Sequence, residues 1–243
     1  MKTIALIPAR YTATRFPGKL MQMLGNKTVI RHTYENTRAT LLFDEVIVVT
    51  DSDIIFDEIV RYGGYAIMSK NEHESGSDRI AEAVENIEVD VIVNVQGDEP
   101  FVKKDILKNL LDAFKKDNSV QVCSLMYPIE NEEEISNANH VKVVADKNLF
   151  ALYFSRSVIP YARNTNEIAV YYKHIGIYGF KKEALMQFTQ WPVSPLESAE
   201  KLEQLRYLEN GVRIKMIITN ESPVSIDTPE DLEKARRYYN VSG

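Results

Sequence analysis

DVIVNVQGDEP, residues 90–100, is the stretch on which the fold turns. Val91, Ile92, Val93 and Val95 give the strongest strand signal in the chain, a β-branched run of the kind buried on both faces of a parallel sheet. Gly97, Asp98, Glu99 and Pro100 then stop it. Working outward, TIALIPA (3–9), EVIVVT (45–50) and YAIM (65–68) read as further strands. NKTVIRHTYENTRA (26–39), DIIFDEIVRYG (53–63) and SDRIAEAVENI (77–87) carry helical spacing, and KKDILKNLLDAFKKD (103–117) is an amphipathic helix. Strand alternating with helix predicts an α/β fold, a doubly wound, mostly parallel sheet with helices on both faces.

Beyond about residue 120 the rhythm changes. VQVCSLMYPI (120–129) and VKVVAD (141–146) read as strands with no clear helix between them. Residues 150–180 are rich in aromatics, among them Phe150, Tyr153, Phe154, Tyr161, Tyr178 and Phe180. A helix is expected over 197–211, a strand over 212–219, and a last helix over 228–240. Thr228 suits its N-cap, Pro229 its first turn, and Asp231 completes a capping-box-like pattern. With no repeat or linker in view, the expected organisation is a single domain over 1–243 with an inserted or appended β-rich region.

The 243 residues carry 29 Lys+Arg against 35 Asp+Glu, a net charge of −6, which argues against a general nucleic-acid binder but leaves room for a local cationic pocket. Cys123 is the only cysteine, so no intrachain disulfide can form, and its apolar surroundings read as a small buried hydrophobe. The four histidines show no zinc-ligand spacing. The first apolar run is too short for a signal peptide or a membrane span, so no membrane association and a cytoplasmic location are expected.

In open α/β sheets, ligands bind beyond the carboxyl ends of the strands. The loop after the first strand, PARYTATRFPGK (8–19), lacks both glycine-rich phosphate-binding patterns. Arg10, Arg15 and Lys19 bring positive side chains instead. Three cations on a short loop suit a triphosphate; a solvated basic loop is the alternative. Asp98 stands where a carboxylate at a strand end reaches a metal ion, or forms an ordinary turn. Asp227, in VSIDTPEDL (224–232), suits either a helix start or a second ligand to one Mg²⁺. TDSD (50–53) contains D-x-D, which a glycosyltransferase would use on a metal but which equally suits a helix cap.

Seven blocks together resemble a known family: PARYTATRFPGK, HESGSDRIAE, NVQGDEP, ALYFSRSVIPYAR, YKHIGIYGF, SPLESAEKLEQLR and IDTPEDLE. The chain is similar, nearly end to end, to the 3-deoxy-manno-octulosonate (Kdo) cytidylyltransferases, the CMP-Kdo synthetases of lipopolysaccharide assembly. YKHIGIYGF and LEQLR are the blocks most specific to that branch. Ala13 departs from the family's usual serine and removes one phosphate-facing hydroxyl.

The resemblance implies a nucleotide-diphospho-sugar-transferase-like fold with a CTP-binding half over 1–120 and a sugar-binding and dimerisation half over 121–243. It implies Arg10, Arg15 and Lys19 on the CTP triphosphate, and Ser75, Gly76 and Arg79 in cytosine recognition. Mg²⁺ would sit on Asp98 and Asp227. For Kdo it implies Arg156 at the carboxylate, with Gln96, His174, Tyr178, Glu203 and Gln204 on the sugar. His174 and Tyr178 lie four apart on an expected strand and so share a face. A homodimer is implied as well. The rival readings are a cytidylyltransferase for 8-amino-Kdo or an acylneuraminate, a glycosyltransferase of related fold, and a catalytically silent nucleotide-binding module.

Overall fold

The computed structural model describes all residues except 13–15, 72, 74, 165–168, 221–223 and 243. Its contacts divide the chain into two compact units, one formed by 1–108 and 223–243 and the other by 109–222.

The first unit holds β1 (Thr3–Ala9), the short strands β2 (Met23–Leu24) and β3 (Lys27–Thr28), β4 (Glu45–Thr50), β5 (Ala66–Met68) and β6 (Val91–Asn94). Helices α1 (Val29–Ala39), α2 (Asp53–Arg61) and α3 (Gly76–Val84) alternate with them, as the spacing predicts. β1 pairs in parallel with β4 and β6, and β4 with β5, giving the order β6-β1-β4-β5. The chain moves outward from β1 to β5 and then jumps back across β1 to form β6. With right-handed crossovers, that reversal puts α3 on the opposite face from α1 and α2. It also makes the crevice between β1 and β6 the switch point, where the loops after both strands open a ligand site. β1 and β6 are buried along their whole length, which is why their sequences are continuous apolar runs rather than alternating ones.

Helix α4 (Lys104–Lys116) contains the boundary between the units. The second unit continues with β7 (Val122–Ile129), α5 (Glu132–Ser136), β8 (Lys142–Ala145), β9 (Ala151–Ser155) and β10 (Tyr171–Lys181). It ends with α6 (Lys182–Phe188), α7 (Pro195–Glu200), α8 (Gln204–Glu209) and β11 (Ile214–Ile218). β7 runs antiparallel to β10 and parallel to β11, and β8 bridges β10 and β9. The sheet here is mixed, in keeping with the expected change of rhythm. Cys123 is buried on β7, and burial pushes its thiol up, so it behaves as the small hydrophobe expected.

The single helix expected over 197–211 is two helices, α7 and α8, broken at Lys201, whose φ is +55°. The cause is a buried ion pair. Glu197 accepts from Arg206 Nε at 2.7 Å and from Nη2 at 2.5 Å, and both side chains are about nine-tenths buried. On one straight helix these residues would be about 13 Å apart along the axis. The break folds α8 back so that the guanidinium meets the carboxylate in a two-pronged contact. Glu197 also accepts from the Ser194 N–H at 3.1 Å and so fixes the start of α7. The last helix, α9 (Pro229–Ser242), belongs to the first unit.

Arg206→Ala leaves the Glu197 carboxylate buried without its cation, and the expected loss of stability is about 3–5 kcal/mol. A thermal melt that matches the unaltered protein would contradict that role for the pair.

Candidate active site

A cavity of about 310 Å³ opens at the switch point of the first unit, within the ordinary range for small-molecule sites. Arg10, Lys19, Ser75, Gly76, Arg79, Gln96, Asp98 and Asp227 all line it. Eight of the sequence-predicted residues are thus brought together. Arg15 and Ala13 lie outside the described residues. Pro8, Ala9, Phe16, Leu20, His73 and Gly97 complete the walls. The sequence reading assigned them no role in the site, although all but Leu20 fall inside blocks it quoted.

Lys19 is at the centre. Its ammonium donates to Asp98 Oδ2 at 2.5 Å and to Asp227 Oδ1 at 2.9 Å. Burial acts to lower its pKa, but attraction to Asp98, then Asp227, and the hydrogen bonds to both outweigh burial and leave it raised. Gly18 delivers the lysine from a φ of +66°, a left-handed conformation that a side chain would strain. The Gly18 N–H closes the loop on Tyr11 O at 3.0 Å. Gly97 answers a different need. A Cβ there would stand 3.1 Å from Pro8 O and 3.2 Å from Ile30 Cδ1 and Leu20 Cδ1, so a glycine lets the 97–100 loop lie against the end of β1.

Helix α1 holds that loop from behind. Thr33 Oγ1 donates to Gly97 O at 2.9 Å, and Asn36 Nδ2 to Pro100 O at 2.6 Å. Asp227 arrives by a separate route. The Ile226 N–H donates to Asp98 O at 3.0 Å, which joins the two segments directly. Asp231 Oδ2 accepts from the Thr228 N–H at 3.1 Å and the Asp231 N–H returns a bond to Thr228 Oγ1 at 3.2 Å, the reciprocal cap the sequence predicts.

At the other end of the cavity Ser75 caps α3, accepting from the Asp78 N–H at 3.1 Å and donating to Asp78 Oδ2 at 2.8 Å. Arg79, on the first turns of α3, is buried. Its Nη2 donates to Asp51 Oδ2 at 2.6 Å and its Nη1 to Ser69 Oγ at 2.7 Å. The first aspartate of the D-x-D stretch is therefore a partner of an arginine rather than half of a carboxylate pair. His73 Nε2 lies 2.5 Å from Glu82 Oε2. Among the described residues no cluster of three or more His, Cys, Asp or Glu could by itself hold a metal ion. Asp98 and Asp227 supply two oxygen donors that converge on a single cation.

Of the residues predicted for the sugar, Gln96 lies in the first unit, and Arg156, His174, Tyr178, Glu203 and Gln204 belong to the second. His174 and Tyr178 sit on β10 with ring centroids 5.3 Å apart, although the pairing with β7 slips between Ile175 and Tyr178. Ser124 Oγ is 2.9 Å from His174 Nε2, and burial lowers the His174 pKa to about 3. Burial, then Glu203 and Tyr207, hold the Tyr178 phenol well above its usual range. Gln204 is buried at the start of α8, and among the described residues its Nε2 finds no acceptor. The Arg156 guanidinium is held by carbonyl oxygens. Its Nε donates to Glu200 O at 2.8 Å and its Nη1 to Ala138 O at 3.1 Å, while Lys142 Nζ grips the Arg156 carbonyl at 2.6 Å.

The Cytidylyltransferase family model matches residues 4–214. The 3-deoxy-manno-octulosonate cytidylyltransferase of Flavobacterium johnsoniae is 61% identical over 238 residues, covering 97% of this chain and 98% of that protein. The chain belongs to the 3-deoxy-manno-octulosonate cytidylyltransferase family. The enzyme of that name from Christiangramia forsetii is 58% identical, with 97% and 96% covered. A solved CMP:2-keto-3-deoxy-manno-octonic acid synthetase, complexed with CTP, matches at a TM-score of 0.95 and 38% identity over all of both chains. The fold extends to 4-diphosphocytidyl-2C-methyl-D-erythritolsynthase of Anaerococcus prevotii, at a TM-score of 0.64 and 15% identity, with 98% of this chain and 99% of that one covered. Among the described residues no helix is long and apolar enough to cross a membrane.

The depressed His174 pKa has a consequence for stability. Between about pH 6.5 and about pH 3 the unfolded chain binds a proton at this histidine that the folded chain excludes. Stability therefore falls as pH falls through that window. His174→Gln is expected to flatten the acid side of the melting curve. An acid-side slope as steep as that of the unaltered protein would remove His174 as its source.

Proposed function

We infer that this chain is a cytidylyltransferase that moves CMP from CTP to the anomeric hydroxyl of Kdo, giving CMP-Kdo and pyrophosphate. The observation that carries the reading is the meeting of Lys19, Asp98 and Asp227 at the mouth of β1 and β6, in a chain 61% identical to a curated relative of that name. The anomeric oxygen attacks the α-phosphorus, the bond to the bridging oxygen breaks, and pyrophosphate leaves. Lys19 and the exposed Arg10 face the triphosphate and neutralise charge as it collects on the leaving group. Arg15, by its place in the same loop, adds to them. The Ser75–Gly76 start of α3 and Arg79 receive the base. No covalent enzyme intermediate is required.

The donor chemistry fits Mg²⁺. Two hard carboxylate oxygens already converge on one cationic nitrogen, and Mg²⁺ commonly takes one or two protein carboxylates with phosphate oxygens completing its shell. Asp98 and Asp227 would hold it. When bound it would neutralise the triphosphate and lower the pKa of the attacking hydroxyl.

For the sugar, support comes from the polar groups buried in the second unit. His174, Tyr178, Glu203 and Gln204 offer hydroxyl partners and Arg156 a cation for the carboxylate. Leu152, Val158, Tyr161 and Val170 expose apolar surface on the second unit, which suits a homodimer contact. Use of CTP supports a reaction in the cytoplasm, and an activated sugar of this kind suits lipopolysaccharide assembly.

Pyrophosphate release with CTP, Mg²⁺ and a panel of acidic sugars tests the assignment. Kdo is expected to be the best acceptor; faster turnover with 8-amino-Kdo or N-acetylneuraminate would replace it. Asp98→Asn and Asp227→Asn should each cut turnover by about 10²–10³-fold and shift the Mg²⁺ requirement upward. The double variant should be little worse than either alone, since both act on one ion. A wild-type Mg²⁺ profile in Asp227→Asn would make that residue a helix-end group only.

A further inference from the structure

We propose that Asp51 and Ser69 are positioning residues that set the enzyme's preference for cytosine by fixing the Arg79 guanidinium at the base end of the pocket. The inference rests on the reading above, in which Arg79 meets the base. It starts from the D-x-D stretch, whose first aspartate the proposed chemistry leaves without a use.

Arg79 has five N–H donors and no acceptor. Asp51 Oδ2 takes one from Nη2 at 2.6 Å, and Ser69 Oγ takes one from Nη1 at 2.7 Å. The two anchors come from adjacent strand ends. Asp51 follows β4 and Ser69 follows β5, and the Ser69 N–H donates to Thr50 O at 2.8 Å, which ties the strand ends to each other. Glu82 secures the segment after Ser69, since its Oε1 accepts from the Lys70 N–H at 2.6 Å. The guanidinium is thus held on two of its nitrogens by groups that are themselves fixed. A planar fork so gripped cannot turn about its Cδ–Nε bond without losing a charge-assisted bond.

Orientation matters because of what the two pyrimidines present. The N3 and O2 of cytosine are both acceptors, and a guanidinium edge can donate to them side by side. In uracil N3 carries a hydrogen, so the same edge meets one acceptor and one donor. An arginine free to swing could adapt to O2 alone and accept either base. Held in place, it penalises uracil with an unmatched buried donor. The Asp51 side chain is about one-third exposed while that of Arg79 is 4% exposed, so the carboxylate sits at the rim and the arginine inside.

CTP and UTP share their ribose and phosphates, so the ratio of their binding constants isolates the base end. Equilibrium binding of each nucleotide is to be measured on Asp51→Asn, Ser69→Ala and Arg79→Met, with a thermal melt of each and the KM for Kdo. Asp51→Asn keeps the size of the side chain and removes its charge; Ser69→Ala is small and decides the question if Asp51→Asn does not fold. CTP binding is expected to weaken about tenfold in Asp51→Asn, and less in Ser69→Ala, as a charge-assisted contact is lost. UTP binding and the KM for Kdo should scarcely move, so the CTP-to-UTP ratio narrows. A merely structural pair would lower the melting temperature and leave the ratio intact, which overturns the proposal. If Arg79→Met loses discrimination while both other variants keep it, the positioning inference alone fails. If all three keep it, Arg79 does not read the base, and the reading on which the inference rests fails with it.

Discussion

Two carboxylates that face the same point repel each other, and they stay there only with a cation between them. In this chain that cation is the Lys19 ammonium, bonded to Asp98 and Asp227 across 208 residues of sequence in the longer case. The contact depends on the return of the C-terminal segment to the first unit. The Ile226–Asp98 backbone bond aligns the returning chain, and the reciprocal cap between Thr228 and Asp231 starts α9 immediately afterwards. Asp227 is left at a fixed place between a backbone bond and a helix start. Lys19, Asp98 and Asp227 are each delivered to this end of the cavity by a different element.

The loop after β1 carries a single glycine and holds its positive charge on side chains. Glycine-rich phosphate loops turn their own N–H groups toward the ligand. Here the cations are side chains lining the cavity, and Gly18 and Gly97 serve the chain path. Gly18 permits a left-handed turn, and Gly97 permits a close approach to Pro8 O. A net charge of −6 over the molecule is compatible with this local group of cations.

Much of the first unit was legible in sequence because its information is local. Strands β1, β4 and β6 are continuous apolar runs, and their order of alternation with helices dictates a parallel sheet with a switch point. Arg10, Lys19 and Asp98, in the loops after β1 and β6, followed from the same logic, whereas Ser75, Gly76, Arg79 and Gln96 came only from the resemblance to the family. What periodicity could not show was pairing across distance. The break between α7 and α8 comes from Glu197 and Arg206, which look like ordinary polar residues of one helix until they meet. The Asp51–Arg79 pair was hidden for the same reason, since DSD at a helix start already has a sufficient local explanation. Arg156 was legible as a cation, but its grip on the carbonyls of Glu200 and Ala138 depends on a fold-back that no spacing encodes. Lys142, buried and bonded to three carbonyls, gave no sign in a strand that reads simply as VKVVAD.

Under the proposed function, the two ends of the cavity face different physical tasks, and their construction differs accordingly. Every nucleoside triphosphate carries the same phosphates, so charge at that end supplies affinity and leaving-group stabilisation but no choice among bases. Lys19 can meet that task with a compact ammonium on a flexible stem, because attraction to a triphosphate tolerates small changes of direction. Choice of base demands fixed directions. Arg79 is buried, planar and anchored by residues at the ends of two neighbouring strands, and the stiffness of the sheet is passed to its guanidinium. Strength at one end and rigidity at the other are both consequences of placing the pocket at the carboxyl ends of a parallel sheet, where loops can differ while the strands beneath them stay in register.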